Sequence, residues 1–277
     1  MNGQPLTTRT FSVPTSTTGR NVDITISEKA GVSADNLSLA TWGSSYILAN
    51  QLYRWAAHVK SIPPTVIGRE LPTSAWSRPF ILELGAGTGL VGLAAASVWR
   101  TNVVLTDLPS IMPGVSANIL LNRDTMYKRN GLALGGTLDW SKPDHLLIRD
   151  FNTGEEVLHK ADNSKVAIIL AADTVYSEEQ PELLQNTVAK WLMPGSVSRV
   201  MFTYALRGPY LEYIRELWKR FELIGLECIE EGQENGDASW DIDASFGTPY
   251  EWCVWRWKPE RHDDPTGSNK STQDTSG

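Results

Sequence analysis

The 277-residue sequence predicts an α/β fold with a mostly parallel, seven-stranded sheet and an antiparallel last strand. Short apolar runs alternate with segments of helical periodicity, which is typical of parallel strands joined by right-handed crossovers. A glycine-rich turn follows the first run, at residues 85–89. Residues 230–248, between the last two runs, have no helical period, so the final strand is predicted to be antiparallel to the one before it.

The predicted strands are bounded by the ends of the apolar runs. They are Phe80–Leu84, Val103–Asp107, Leu132–Trp140, Val166–Ala172, Val200–Ala205, Phe221–Ile229 and Tyr250–Trp257. Helices are predicted over Leu90–Trp99, Ile111–Met126, Glu178–Trp191 and Tyr210–Arg220, and earlier in the chain over Trp42–His58. Before that helix, Val22–Ser27 alternates in the manner of a short strand.

Three regions are expected along the chain. Residues 1–78 form an N-terminal extension whose strand and helix pack on the core, and residues 79–258 form the main domain. Residues 1–20 are rich in Ser, Thr and Pro and are expected to be loosely held, and residues 61–77 form a proline-containing connector. Residues 259–277 are polar and are expected to form a flexible tail.

Composition limits the classes of partner. A formal net charge of -7 argues against nucleic-acid binding by bulk charge and favours a cationic substrate or partner. The two cysteines and four histidines show neither a disulfide framework nor a metal-ligand spacing, so no metal is expected. The longest apolar stretch, near residues 90–99, is too short to cross a bilayer. We expect a monomer in the cytoplasm, with the nucleus as the alternative.

The glycine turn is the first candidate ligand site. The segment Glu83-Leu-Gly85-Ala-Gly87-Thr-Gly89 follows a strand and opens a helix, where backbone N–H groups can approach a nucleotide-like ligand. Asp107, 107 − 85 = 22 positions after the first glycine, can accept hydrogen bonds from both ribose hydroxyls. The alternatives are a tight connection without a ligand, and an Asp107 that only caps the next helix.

The spacing of the glycines favours one kind of ligand. A nicotinamide dinucleotide fingerprint needs a small residue at position 90, where this chain has Leu90. S-adenosylmethionine carries no pyrophosphate and does not need the helix N-terminus so close. The Gly-x-Gly-x-Gly spacing therefore indicates S-adenosylmethionine rather than a dinucleotide.

Four motifs together resemble the seven-β-strand family 16 protein methyltransferases, whose sheet is Rossmann-like. They are Glu83–Gly89, Leu105-Thr-Asp-Leu-Pro, Leu138-Asp-Trp140 and Ala171-Ala-Asp-Thr-Val-Tyr176, in that order. Trp42, in Thr-Trp-Gly-Ser-Ser, is similar to the family's N-terminal tryptophan, and the likeness spans about residues 40–258. The Asp-x-x-Tyr after the fourth strand is the discriminating element, and it implies methylation of lysine.

The resemblance implies a role for each motif residue. Glu83 and the glycines would hold the methionine part of S-adenosylmethionine, Asp107 the ribose, and Trp140 the adenine, with S-adenosylhomocysteine as product. Physically, Trp140 offers a flat apolar face and Asp139 an acceptor for the adenine amino group, although Trp140 could instead simply close the end of a strand. The implied cofactor-binding residues are Trp42, Glu83, Gly85, Gly87, Gly89, Asp107, Asp139, Trp140 and Ala172.

Asp173 and Tyr176 are the candidate catalytic residues. Lysine is charged at neutral pH, so the site must remove a proton and hold the neutral amine in the line of attack. A carboxylate and a phenol three residues apart could orient that amine. The alternative is that Asp173 caps the helix starting near Ser177 and Tyr176 is a core aromatic.

The predicted function is methyl transfer to a lysine of a protein, which the resemblance extends to elongation factors and chaperones. A small-molecule N-methyltransferase and a non-catalytic, cofactor-binding scaffold are the alternatives. The segment 227–243 holds seven acidic residues and no Lys or Arg. As a loop over the active site, it is expected to attract a basic substrate segment, unless it only aids solubility.

Overall fold

The computed structural model describes residues 7–28, 33–34, 37–38, 40–62, 80–149, 154–236 and 248–259. The short strands outside the main sheet are β1 (Thr7–Pro14), β2 (Asn21–Glu28), β3 (Ser33–Ala34) and β4 (Leu37–Ser38). The strands of the main sheet are β5 (Phe80–Leu84), β6 (Asn102–Asp107), β7 (Leu132–Thr137), β8 (His145–Arg149), β9 (Glu156–Lys160), β10 (Ile168–Ala172), β11 (Arg199–Ala205), β12 (Leu226–Asn235) and β13 (Pro249–Trp257). The α-helices are α1 (Gly43–Gln51), α2 (Ala56–Ser61), α3 (Leu90–Trp99), α4 (Met112–Leu121), α5 (Arg123–Lys128), α6 (Gln180–Trp191) and α7 (Leu211–Leu223).

The main sheet confirms the predicted α/β architecture. In the described part of the chain its order is β12-β13-β11-β10-β5-β6-β7-β8-β9, with parallel pairing from β11 to β7. As predicted, β13 is antiparallel to β12, and it is also antiparallel to β11. Because β11, β10, β5, β6 and β7 are parallel neighbours in the sheet, they bring their carboxyl ends to one edge of it.

Buried side chains cover both faces of the sheet. On one face, α1, α3 and α4 pack with the N-terminal hairpin, where Leu48, Leu93 and Val115 are buried. On the other face, α6 contributes the buried Trp191 and α7 the buried Phe221, whose ring centroid lies 5.3 Å from that of Trp255. The apolar strand residues are therefore buried from both sides, as parallel strands require.

The expectation that residues 1–20 are loosely held is wrong for residues 7–14. These residues form β1, which pairs antiparallel with β2 from Thr7–Glu28 to Pro14–Asn21. Phe11 and Val13 are buried. The abundant Ser and Thr suggested a loop, but β-branched Thr is also common in strands, and the alternating apolar residues find a core to pack on.

Two asparagines of the region around α4 attach this hairpin to the main domain. Asn122 accepts from the Thr25 N–H at 2.9 Å and donates to the Thr25 carbonyl at 2.6 Å. Asn118 accepts from the Ser27 N–H at 2.8 Å and donates to the carbonyl of Thr88, in the glycine turn, at 2.9 Å. The two side-chain amides thus satisfy backbone groups of β2 as a neighbouring strand would.

The remaining differences concern element boundaries, two helices and one hairpin. Each of the helices predicted over residues 42–58 and 111–126 is interrupted, and the hairpin brings the sheet from the predicted seven strands to nine among the described residues. Strands β8 and β9 were not predicted, because their alternating residues include His145, His159 and several charged residues. Strand β12 begins at Leu226 and extends to Asn235, whereas Phe221 belongs to α7. Residues 63–79 and 260–277, which hold most of the predicted connector and tail, lie outside the described residues.

We expect Asn118→Ala to lower the free energy of unfolding by about 3 kcal/mol, since it leaves buried backbone groups without partners. Urea unfolding would measure the change. Asn186→Ala is the matched control: Asn186 is also helical but exposed, so its replacement should change stability by less than about 0.5 kcal/mol. Equal stability of the two variants would show that Asn118 does not hold the hairpin.

Candidate functional site

A cavity of about 430 Å³ lies at the carboxyl edge of the sheet. The turns after β5, β6, β7 and β10 form its walls, together with the start of α1 and of α6. Except for Glu83 and Gly89, all the residues predicted to bind the cofactor or act in catalysis line it: Trp42, Gly85, Gly87, Asp107, Asp139, Trp140, Ala172, Asp173 and Tyr176. The fold therefore brings together in one cavity residues that are as far apart in the sequence as positions 42 and 176.

The glycine turn favours glycine at all three of its positions, for two different reasons. All three have positive φ: 66° at Gly85, 55° at Gly87 and 86° at Gly89. A Cβ on Gly85 would lie 2.8 Å from Thr174 Cγ2, and one on Gly89 would lie 2.8 Å from Leu105 Cδ2. Gly87 has nothing within 4 Å of such a Cβ, so this position borders open space in the cavity. Gly85 and Gly89 thus permit close packing, while Gly87 presents bare backbone to a ligand.

Asp107 ties the glycine turn to the end of β6. Its carboxylate accepts from the Gly87 N–H at 2.8 Å through Oδ2 and from the Leu108 N–H at 2.8 Å through Oδ1. Burial raises the pKa of Asp107 above its usual value, against the effect of these two hydrogen bonds. Helix α4 begins only at Met112, after Ile111 as N-cap, so the alternative that Asp107 caps that helix is wrong.

Glu83 lies behind the cavity wall and is 2% exposed. Its carboxylate accepts from the Gly92 N–H at 3.0 Å, which holds the first turn of α3 against β5. Burial raises the pKa of Glu83 well above its usual range, and the nearby charge of Asp107 raises it further. In the described residues, Glu83 thus shapes the turn rather than lining the cavity.

Two tryptophans line the cavity. Trp140 lies three residues after the end of β7, with its ring 3.4 Å from the position of a Cβ on Gly85. Trp42 is the N-cap of α1, whose first residue, Gly43, packs so tightly that a Cβ would lie 2.2 Å from Tyr250 Oη. Both rings are half-buried, so each keeps a face available to a ligand.

Asp139, beside Trp140, is bound to its own loop. The Ser141 hydroxyl donates to it at 2.7 Å and the Ser141 N–H at 2.9 Å. These hydrogen bonds lower the pKa of Asp139, which is thus held as a carboxylate at the cavity rim.

Asp173 follows β10 directly and adopts a φ of +56°, which is uncommon for a residue other than glycine. Its N–H donates to the Thr203 carbonyl at 2.9 Å. Its carboxylate accepts from the Arg207 guanidinium at 3.2 and 3.3 Å. The Arg207 guanidinium also lies over the Trp42 ring, 5.4 Å from its centroid.

Sequence reasoning missed Arg207. It stands two residues after the end of β11, at the same sheet edge as Asp173. The rule that selected Asp107 and Asp173, a polar residue just past a parallel strand, also points to this arginine.

The alternative readings of the Asp-x-x-Tyr motif are wrong. Helix α6 begins at Gln180 with Glu179 as N-cap, six residues after Asp173, so Asp173 does not cap it. Tyr176 is half-buried and lines the cavity, so it is not a core aromatic. Gln180 Oε1 accepts from the Tyr176 N–H at 2.5 Å and from the Ser177 N–H at 3.0 Å, which fixes the segment carrying the tyrosine.

Where the structure describes it, over residues 227–235, the acidic segment is a strand and not the predicted loop over the site. Glu230, Glu231 and Glu234 lie on strand β12. Glu230 accepts from Arg54 at 2.7 Å and from the Trp55 indole at 3.0 Å, and Glu234 accepts from Gln51 at 3.1 Å. These acids attach the N-terminal helical region to β12, and residues 237–247 lie outside the described residues.

The charged side chains that line the cavity are acidic. In the described part of the chain, its lining includes the carboxylates of Asp107, Asp139, Asp173 and Glu179 but no Lys, Arg or His. Such a lining favours a cationic ligand. Among the same residues, no group of three His, Cys, Asp or Glu is placed to bind a metal ion, and no helix is long and apolar enough to cross a bilayer.

Comparison with known proteins identifies the family. The profile of the lysine methyltransferase family matches residues 20–219, so the chain belongs to that family, and the family 16 resemblance is confirmed. Protein-lysine N-methyltransferase EFM2 of Saccharomyces cerevisiae is 30% identical over 80% of this chain, and rrg1 of Schizosaccharomyces pombe, also a protein-lysine N-methyltransferase, is 29% identical over 80%. The matches cover 50% and 63% of those two relatives, so the chain spans between about half and two thirds of their length.

Solved structures give more distant similarities. A Synechocystis magnesium protoporphyrin IX methyltransferase with bound S-adenosylmethionine has a TM-score of 0.48 at 13% identity, covering 77% of this chain and 80% of that one. M. jannaschii TYW2 in complex with AdoMet has a TM-score of 0.45 at 13% identity over 85% of this chain and 83% of that one.

We expect Glu83→Gln to gain stability relative to the wild type as the pH rises. Because burial raises the folded-state pKa of Glu83 above its usual 4.5, its contribution to stability falls as the pH rises from the unfolded-state pKa towards the folded-state pKa. Glutamine keeps an acceptor for the Gly92 N–H and removes this proton dependence. Urea unfolding at several pH values between 5 and 9 would measure it.

The control for this series is Glu178→Gln, because Glu178 is exposed. The stability of Glu83→Gln relative to the wild type should rise more steeply with pH than that of Glu178→Gln. Equal pH dependence of the two variants would contradict the buried, ionisable carboxylate.

Proposed function

We propose that this protein transfers a methyl group from S-adenosylmethionine to the side-chain amine of a lysine in a protein substrate. The observation that carries the proposal is a single cavity that joins the glycine turn and Asp107 to the Asp-x-x-Tyr pair. Family membership and the names of the relatives, which are protein-lysine methyltransferases, support the same activity.

The residues present fit S-adenosylmethionine. Gly87 leaves a gap that a Cβ would fill, and the free lone pairs of the Asp107 carboxylate can accept from ribose hydroxyls. Thr174 Oγ1 is buried in the cavity wall and has no hydrogen-bond partner within the described residues, so a ligand group can satisfy it. The Trp140 ring would stack on the adenine, and Ala172 and Trp42 would border the ligand. Glu83 and Gly89 would support this cofactor site from behind the wall.

The reaction requires a neutral amine in line with the transferred methyl group. S-adenosylmethionine, when bound, would supply the methyl group: the neutral lysine nitrogen would form the new carbon–nitrogen bond as the carbon–sulfur bond breaks with its electron pair going to sulfur, and the methylated ammonium would then lose a proton to water. In this chain, Asp173 and Tyr176 would accept hydrogen bonds from the amine and fix its direction. The faces of Trp42 and Tyr176 would stabilise the cationic product.

The acceptor class follows from the charges of the cavity. A lysine side chain is an apolar stem with a cationic end, and the acidic lining of the cavity attracts such an end from solution. The family resemblance implies an elongation factor or a chaperone as substrate. Within the cell, we place the reaction in the cytoplasm or the nucleus.

Replacing Gly87 with Val should weaken S-adenosylmethionine binding by at least about 100-fold, because the side chain would occupy the gap at the turn. Asp107→Ala should weaken binding by about 10- to 100-fold, as expected for hydrogen bonds to a charged group. Isothermal titration calorimetry would measure both.

Gly19→Val is the matched control for the backbone strain that Gly87→Val introduces. Gly19 has a φ of +76° and open space around it, but it lies in the turn between β1 and β2. This variant should bind as the wild type does. Wild-type affinity in Gly87→Val and Asp107→Ala would refute the assigned cofactor site.

Asp173→Asn and Tyr176→Phe should each reduce protein methylation by about 100-fold while S-adenosylmethionine affinity stays within about threefold. Lysate from cells that lack this protein would be incubated with the enzyme and methyl-tritiated S-adenosylmethionine, and methylated lysines would be identified by mass spectrometry. Tritium on a lysine of a protein is the expected result.

The chain itself offers a matched control. Residues 124–127 read Asp-Thr-Met-Tyr, close to Asp-Thr-Val-Tyr at 173–176, but Asp124 and Tyr127 are exposed on α5, outside the cavity. Asp124→Asn and Tyr127→Phe should retain wild-type rates. Label only on a small molecule would indicate a small-molecule N-methyltransferase, and no label would indicate a non-catalytic scaffold.

A further inference from the structure

We propose that Arg207 is a positioning residue, which aims the Asp173 carboxylate and disfavours the protonated form of the acceptor amine. The inference rests on the proposed lysine methylation and deepens it. Arg207 is outside every motif that predicted the site, and it does not line the cavity itself. It acts through two residues that do, Asp173 and Trp42.

Arg207 and Asp173 form an ion pair in which both Nη atoms of the guanidinium contact the carboxylate. Nη1 of Arg207 lies 3.2 Å from both carboxylate oxygens, and Nη2 lies 3.3 Å from Oδ2. The two side chains are only 20% and 11% exposed, so water screens the pair less than it would a surface pair. A planar guanidinium bound in this way restricts rotation of the carboxylate, which lysine in its place would not do.

Arg207 is itself held from the other side. Its guanidinium carbon lies 5.4 Å from the centroid of the Trp42 ring, a distance at which cation and ring attract each other. Trp42 is fixed in turn at the start of α1, where Gly43 packs on Tyr250. The guanidinium therefore connects the N-terminal helix to the end of β10.

The backbone of Asp173 shows why such support is needed. Its φ of +56° is unfavourable for an aspartate, and it persists only where surrounding contacts hold it. The Asp173 N–H bonds the Thr203 carbonyl on β11, and Arg207 follows the same strand. Both the main chain and the side chain of Asp173 are thus anchored to β11 and the turn after it.

The charge of Arg207 has a chemical consequence. A carboxylate alone would attract the lysine ammonium and stabilise it, although only the neutral amine can attack the methyl carbon. With Arg207 beside it, the Asp173 carboxylate can still accept a hydrogen bond, but the pair has no net charge to hold the proton on the amine. The other titratable groups that line the cavity are Asp107, Asp139, Glu179 and Tyr176, and all of them remain in the variants described below.

Arg54 provides a matched control elsewhere in the fold. Its guanidinium pairs with Glu230 at 2.7 Å and lies 4.4 Å from the centroid of the Trp252 ring, so it combines the same two contacts. Neither Arg54 nor its partners line the cavity. The test therefore compares Arg207→Met and Arg207→Lys with Arg54→Met and Arg54→Lys.

The experiment measures initial rates of tritium transfer from S-adenosylmethionine to lysines of proteins in the lysate, between pH 6.5 and 9.5. Calorimetric affinity for S-adenosylmethionine and urea unfolding are measured for every variant. Arg207→Met should lower the rate at pH 7.5 by about 100-fold, and its rate should reach half-maximum about one pH unit higher than in the wild type. Cofactor affinity should stay within about threefold.

Arg207→Lys separates charge from geometry. It retains the positive charge, so its rate should reach half-maximum within about half a pH unit of the wild-type value, while its maximal rate falls by about tenfold. The two Arg54 variants should retain the wild-type rate and pH dependence, whatever stability they lose.

Either of two outcomes would overturn the inference while leaving the proposed function intact. One is a reduced rate in Arg207→Met with the wild-type pH dependence, which would indicate a packing role only. The other is equal behaviour of the Arg207 and Arg54 variants. If the wild type transfers no methyl group to lysine, the proposed function itself fails, and the role of Arg207 fails with it.

Discussion

The hydrogen bond from the Gly87 N–H to the buried Asp107 carboxylate fixes the geometry on which the site depends. It joins the turn after β5 to the end of β6, two strands that lie side by side in the middle of the sheet. Because Gly87 must turn its backbone towards Asp107, it adopts a positive φ and leaves the neighbouring space open. The same contact therefore shapes the floor of the cavity and positions the carboxylate that we assign to the ribose.

The site places carboxylates in positions where their negative charge lowers the stability of the fold. Glu83 and Asp107 are both buried, and burial raises the pKa of each. An ionised, buried carboxylate costs stability unless a partner compensates it, and a cationic ligand would be such a partner. Arg207 compensates Asp173 instead, so the cavity has one region that favours a cation and another in which the carboxylate is already neutralised. This division suits a sulfonium cofactor next to an amine that must lose its proton.

The sequence was sufficient for elements with a single strong signal. Strand β5, the glycine turn, α3 and the position of Asp107 at the end of β6 agree with the prediction, because apolar runs and glycines act locally. It was insufficient for segments whose conformation depends on contacts with residues far away in the sequence. Residues 7–14 looked like a loop because the ring that Phe11 packs on, Tyr46, comes from α1. Glu230 looked like part of a free acidic loop because Arg54 is 176 residues away. Arg207 was missed for the same reason, since its role depends on Asp173 and Trp42.

The most direct test of the central claim is a crystal structure with S-adenosylhomocysteine. The account predicts the product in the cavity, with its ribose hydroxyls on Asp107, its adenine beside Trp140 and its sulfur facing Asp173, and with the Asp173–Arg207 ion pair still formed. A product bound elsewhere, or bound in this cavity with its sulfur facing away from Asp173, would contradict the assignment of this sheet edge as the methyl-transfer site.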